Sequence, residues 1–223
     1  VDIQRDHLIS TDMKIPAFSS VRAFALVAAF SLVGTTPVSA QSDDLAAVNK
    51  AVRSIRTLKA NFQQTDPNGA IQTGTVLLKQ PGHIRFNYDG GDLLIVADGK
   101  SLYMVDYEVA QVQRLPIRNS PLGALLDPSR DLTRYGKLVP TGRPGVVSIE
   151  ARDAAHPELG VLTLVFARKA SAPGGLELTG WLMKDAQGNR TTISFSGISY
   201  GAAIADSAFA WRDPRANQVG PRH

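Results

Sequence analysis

Few side chains of this sequence have the types and spacing that chemistry needs. Gly99-Lys100-Ser101 ends like a phosphate-binding loop. That loop requires a glycine at position 94, where the chain has Leu94, and a helix after it; Asp98-Gly99 reads instead as a hairpin turn. His83, His156 and His223 form no i, i+4 pair, and the chain has no cysteine, so a zinc site would have to be gathered from distant positions. Asp89, Asp92, Asp98, Asp106 and Glu108 suggest calcium by composition, yet each falls where a hairpin should end and where aspartate favours the turn. No H-E-x-x-H string occurs. A catalytic set dispersed along the chain stays open at this point.

Charge gives a weaker signal. With 24 basic and 20 acidic residues the formal net charge is +4, a bias toward anionic surfaces that is slight. Arg114, Arg118, Arg130, Arg134, Lys137 and Arg143 make a loose basic stretch. A solvated face is the ordinary explanation; docking on an acidic partner or anionic lipid is the other. No aromatic and basic RNA-binding signature accompanies it, so nucleic acid is not an expected partner.

Residues 1–40 read as material that precedes the fold. Positions 1–12 lie upstream of Met13 and form an extension from which nothing about the fold follows. Residues 13–40 have the form of a signal peptide: Lys14 and Arg22, an apolar run from Ala23 to Phe30, then Pro37-Val38-Ser39-Ala40, with cleavage expected after Ala40. The apolar run ends near Gly34, short of the roughly 20 residues that span a bilayer. Absence of cysteine also excludes a lipid-modified cysteine behind this leader. A periplasmic location is therefore expected, with 41–223 as a single domain.

What remains must position any site. Ser42-Asp43-Asp44, followed by Leu45, Val48, Val52 and Ile55 at helical spacing, predicts an amphipathic helix over 43–57. From Ala60 the period becomes two. Strands are expected near 60–66, 70–79, 83–88, 92–97, 101–106 and 110–116, joined by Pro-Gly, Gly-Gly and Asp-Gly turns short enough to make neighbours antiparallel. Ser120-Pro121-Leu122 then opens a short helical insert, and a second set of strands follows near 146–152, 159–168, 176–184 and 190–197. The fold class is mainly β with α: about 11 antiparallel strands in a strongly curved, unclosed barrel, with an N-terminal helix and a helical insert. Leu93 to Val96 and Leu102 to Val105 are apolar on both faces, so each face needs a cover or a ligand. Pattern alone does not separate a core from a cavity.

Several short strings resemble the LolA-type periplasmic carriers of outer-membrane lipoproteins, in order and from about 43 to 219. They are Phe62-Gln63-Gln64; Gly74; Lys79-Gln80-Pro81-Gly82-His83-Ile84-Arg85-Phe86 for the family's K-R-P-x-x-F-x-W; and Val96-Ala97-Asp98-Gly99-Lys100-Ser101-Leu102-Tyr103 for its V-x-D-G-x-x-L-W/Y. Asp106 with Gln111, Ser120-Pro121-Leu122 and Phe209-Ala210-Trp211-Arg212-Asp213-Pro214 complete the series.

The resemblance implies an apolar cavity for acyl chains, lined by Phe62, Leu78, Ile84, Phe86, Val96 and Met104, beneath a lid carrying Val52, Leu122, Leu125 and Leu126. It implies acylated lipoproteins as cargo, an inner-membrane LolCDE-type ABC exporter as donor, a LolB-like outer-membrane receptor where one exists, and a monomer. It implies no catalytic residue, metal or cofactor. Related folds also serve as periplasmic sensors of lipid or lipoprotein, which is the alternative function. Gln80 stands where the family carries the arginine that latches the lid. An amide can donate the same hydrogen bonds but without charge assistance. Ala216 replaces the usual glycine near the C-terminus.

Overall fold

The computed structural model describes residues 38–119, 121–153 and 156–217. The extension, most of the expected signal peptide, and Ser120 lie outside the described residues. Helix α1 spans Val38–Ser54, starting five residues before the expected Asp43, because Val38 to Gln41 contain nothing that breaks a helix and Pro37 stands at its threshold. Val48, Ala51, Val52 and Ile55 form its buried stripe, as the 3.6-residue period requires.

Six strands follow as a meander: β1 Thr57–Thr65, β2 Ile71–Lys79, β3 His83–Tyr88, β4 Leu93–Asp98, β5 Ser101–Asp106 and β6 Gln111–Pro116. The insert contains two four-residue helices, α2 Gly123–Leu126 and α3 Leu132–Tyr135. A second meander completes the chain: β7 Gly136–Val139, β8 Val146–Arg152, β9 Val161–Arg168, β10 Leu176–Lys184 and β11 Arg190–Tyr200. Strand β7 had no counterpart among the expected strands. It has four residues, none of them buried, and it continues from α3 without a turn, so it offers no period to read.

All eleven strands join one antiparallel sheet in the order β6-β5-β4-β3-β2-β1-β11-β10-β9-β8-β7. Pairing of β1 with β11 unites the two meanders, and β6 and β7, consecutive in the chain, are the two free edges. The insert that connects them therefore stands at the open seam. Curvature comes from irregular register, with shifts between Lys59 and Asn61 against β11 and between Leu178 and Gly180 against β9. Gly180 sits at φ 152°, and a β-carbon there would meet the Ile193 carbonyl at 2.1 Å, so only glycine fits this bend.

One face of the sheet holds the main core. Leu58, Phe62, Leu78, Ile84, Phe86, Ile149, Leu162, Leu164, Phe166 and Leu178 pack there with the α1 stripe and with Leu122, Leu125 and Leu126 of the insert. The other face carries a second, smaller core over β4 and β5: Leu94, Val96 and Val105 lie under Ile204 and Phe209 of the C-terminal segment. This explains strands greasy on both sides. Each face has its own cover, and the cover of the outer one comes from residues about a hundred positions downstream. Lys79 ties that segment down through the Ile204 carbonyl at 2.9 Å and the Asp206 carboxylate at 2.6 Å, and Arg85 donates to the Ala210 carbonyl at 2.7 Å.

Candidate functional site

The inner face can be followed across the first meander by register, because directly paired residues share a side. One row runs Ala60, Val76, Phe86, Ile95, Met104; the next runs Leu58, Leu78, Ile84, Ala97, Leu102, Leu115. Phe62, Gly74 and Tyr88 form a third. Gly74 leaves space for the Phe62 ring, since a β-carbon there would lie 2.8 Å from that ring and 2.0 Å from the Asn87 carbonyl. Five aromatic rings then touch edge to face in sequence: Tyr88 to Phe62 at 5.0 Å, Phe62 to Phe86 at 5.0 Å, Phe86 to Trp181 at 5.7 Å, and Trp181 to Phe195 at 5.1 Å. Such pairs add about 0.5–1.5 kcal/mol each beyond their burial. Burial pushes the Tyr88 hydroxyl up to about 12, against the opposing effect of its hydrogen bond to Gln64.

Of the expected wall residues, Phe62, Leu78, Ile84 and Phe86 stand together on this face, buried to within 2%. Val96 does not join them. It pairs with Arg85 and Tyr103 and belongs to the outer core beneath Phe209, because in a strand the residue beside an inward one points outward. Met104 has the inward parity but lies one strand from the free edge, where it is 44% exposed. Leu115, in the edge strand and paired with Leu102, is 39% exposed, and Met104 is paired there with Gln113.

The insert packs onto the expected wall. Val52, Leu122, Leu125 and Leu126, the expected lid residues, are all buried in the same core as Phe86 and Leu78. By closing on each other, wall and insert gain dispersion contacts that walls around a void would forgo. Polar contacts seat the insert. The Gln80 side-chain amide donates to the Leu125 carbonyl at 2.5 Å, and the Gly82 amide donates to the Leu126 carbonyl at 2.9 Å. On the α1 side, Asn49 donates to Asp131 at 3.1 Å and accepts from the Leu132 amide at 3.2 Å. Arg130 donates to the Arg118 carbonyl at 3.0 Å.

The chain matches the family model of the outer membrane lipoprotein carrier protein LolA over residues 53–212. It belongs to the LolA family. An outer-membrane lipoprotein carrier protein of Chromobacterium violaceum is 29% identical over 81% of this chain and 88% of its own length. One from Xanthomonas campestris is 31% identical over 71% of this chain and 79% of its own. A crystal structure of the LolA superfamily protein NE2245 from Nitrosomonas europaea overlays with a TM-score of 0.41 at 13% identity, covering 77% of this chain and 97% of that one.

Two features of this LolA-family chain escaped the sequence reading. Trp181 and Phe195 complete the aromatic row although they come from the second meander; the signal was only an aromatic at alternating position in each strand. Gly197-Ile198-Ser199-Tyr200-Gly201 has the G-x-S-x-G spacing of a hydrolase elbow, but it lies in β11 with Ser199 paired to Lys59, where the strand-to-helix turn of an elbow is missing. Two of the acids weighed for calcium serve turns: Asp98 accepts from the Lys100 and Ser101 amides at 2.9 and 2.8 Å, and Asp106 from the Glu108 and Val109 amides at 3.0 and 3.1 Å, while Asp89 accepts from the Thr73 hydroxyl at 2.6 Å.

Proposed function

We propose that this protein carries acylated lipoproteins through the periplasm, with the acyl chains held against the inner face after the insert swings off it. The observation that carries the reading is the apolar interior closed at an open seam by an insert of two four-residue helices, in a chain of the LolA family. Bare acyl chains of roughly forty methylenes would lose on the order of 30 kcal/mol in water, at about 0.8 kcal/mol per CH₂. Against that, three lid leucines give up about 1.5–3 kcal/mol each when lifted. The exchange favours the guest, and the closed interior takes back its own contacts when the guest leaves, so release needs no chemistry. Leu122, Leu125, Leu126 and Val52 act as the lid, Gln80 as its latch, and Phe62, Leu78, Ile84, Phe86 and Met104 as the wall. A LolCDE-type exporter in the inner membrane delivers the cargo, and a LolB-like receptor takes it where one exists. Residues 13–40 direct export and are removed.

The test is release of lipoproteins from spheroplasts by the purified chain, with native mass spectrometry of the supernatant. A one-to-one complex with an acylated protein is expected. Phe86→Glu would bury a charge among aromatic rings and unfold the chain, so Met104→Glu is the informative variant: folded, with release reduced about tenfold as a charge is set on the inward side beside Ile95. No acylated protein in complex with the wild type would refute the carrier.

A further inference from the structure

The two free edges of the sheet are built differently. An edge strand presents unpaired N–H and C=O groups, and proteins blunt such edges with short strands, lysine, proline or bulges. β7 is blunted: it has four residues, Lys137 stands exposed in it, and Pro140 follows directly. β6 has six residues and pairs with β5 without a register shift. Its arginine, Arg114, is drawn aside, with Nε donating to the Ser101 hydroxyl at 2.9 Å and the guanidinium 6.0 Å from the centre of the Tyr103 ring. Its proline, Pro116, is the last residue of the strand.

Register tells which backbone groups face away from the sheet. The Ile117 amide donates to the Lys100 carbonyl at 3.0 Å. Leu115 with Leu102 and Gln113 with Met104 are then the hydrogen-bonded pairs of the ladder, and Val112 and Arg114 turn both N–H and C=O outward. Among the described residues no backbone group reaches either of them across this edge. The side chains on the inward side of β6 are Gln111, Gln113 and Leu115, all exposed and none charged. All these residues precede the insert, and the Ile117 bond pins the end of β6 before the insert begins, so the edge does not depend on where the insert stands.

We propose that β6 takes up, as one further strand, the extended polypeptide that follows the acylated residue of the cargo. This rests on the carrier reading. With acyl chains on the inner face beside Met104, the polypeptide attached to them has to leave over the rim of the sheet, and β6 is the rim next to that residue. Strand addition grips the main chain, which every polypeptide has. Uncharged side chains beside it discriminate little among sequences, as a carrier of unlike cargoes requires. Pairing also gives the bound chain a direction and a register, which the non-directional burial of methylenes does not supply.

The experiment uses the full chain and three synthetic lipopeptides with the same triacylated cysteine and the same serine and asparagine continuation. One is unmodified, one is N-methylated on its odd backbone amides, and one on its even amides. Tryptophan fluorescence reports binding through the buried Trp181. A strand turns alternate amides toward its neighbour, so one methylated isomer should bind about tenfold more weakly than the unmodified lipopeptide and the other should match it. Val112→Pro removes an outward N–H at an edge position that tolerates proline; it should weaken the unmodified lipopeptide about fivefold with the urea midpoint near wild type. If that variant does not fold, the isomers decide on the wild type alone. Hydrogen exchange followed by NMR adds a direct readout: the Val112 and Arg114 amides should exchange fast in the free protein and at least tenfold more slowly with the lipopeptide bound. Equal affinity for both isomers, or a folded Val112→Pro that binds like wild type, overturns the added strand and leaves the carrier standing; failure to bind any lipopeptide removes both. Slow exchange at these amides in the free protein would mean an edge already paired, with a second copy if it varies with concentration and with the chain's own end if it does not, and either result sinks the proposal.

Discussion

The side-chain amide of Gln80, just past the end of β2, donates to the backbone carbonyl of Leu125 in α2, 2.5 Å away. One uncharged hydrogen bond thus joins the sheet to the middle of the insert, beside the backbone bond from Gly82 to Leu126.

A latch of that kind contributes about 1 kcal/mol net. Gln80→Ala should therefore raise amide hydrogen exchange in the insert about fivefold without loosening β1 to β3. Gln80→Arg should slow it below wild type, since a charge-assisted donor binds a carbonyl more strongly. Exchange measured by mass spectrometry over 117–135 decides; rates that ignore both substitutions would deny Gln80 the latch.

Phe209 bears on the other side of the sheet, where its ring lies 5.1 Å from that of His83 and covers Leu94, Val96 and Val105. Phe209→Ala should cost about 3 kcal/mol in urea unfolding, the lower end for truncating a buried phenylalanine. Because the two cores lie on opposite faces, exchange in the insert should hardly change. A loss below 1 kcal/mol would mean that the C-terminal segment contributes little to stability.

Tyr88 sets an alkaline limit. Its hydroxyl titrates near 12 in the folded chain against 10 for an exposed tyrosine, because burial disfavours the phenolate. Below pH 10 both states keep the proton and this group leaves stability unchanged. Between 10 and 12 the unfolded chain releases its proton first, so stability falls as pH rises. Tyr88→Phe should begin less stable at pH 8, having lost the 2.8 Å hydrogen bond to Gln64, and should decline less steeply above pH 10. Parallel urea midpoints for the two proteins up to pH 11.5 would contradict this.

Much of the framework was legible in the residues. Periods of two in 71–79, 161–168 and 190–196, cut by Gly and Pro turns, mark strands that the structure places within a few residues of expectation. The α1 stripe was equally plain, since Val48, Val52 and Ile55 recur at helical spacing and all are buried. The resemblance carried by Lys79 to Phe86 and Val96 to Tyr103 supplied the expected wall residues, of which Phe62, Leu78, Ile84 and Phe86 share one buried core. Val96 shows where it stopped: β4 is apolar at every position from Leu93 to Ala97, so alternation gives no parity, and the wall assignment took the wrong side for this residue. Strand β7 was too short and too exposed to leave a pattern.

The sequence by itself determined an antiparallel β protein with one amphipathic helix and an apolar insert between two strand sets, because these depend on local period, turn residues and composition. Only the tertiary structure decided that β1 closes on β11 while β6 and β7 stay apart, that the insert packs into the main core, and that the C-terminal segment covers the outer face. Those relations join residues tens to more than a hundred positions apart. Strand register and sheet curvature fix them, and neither is written in any local stretch of chain.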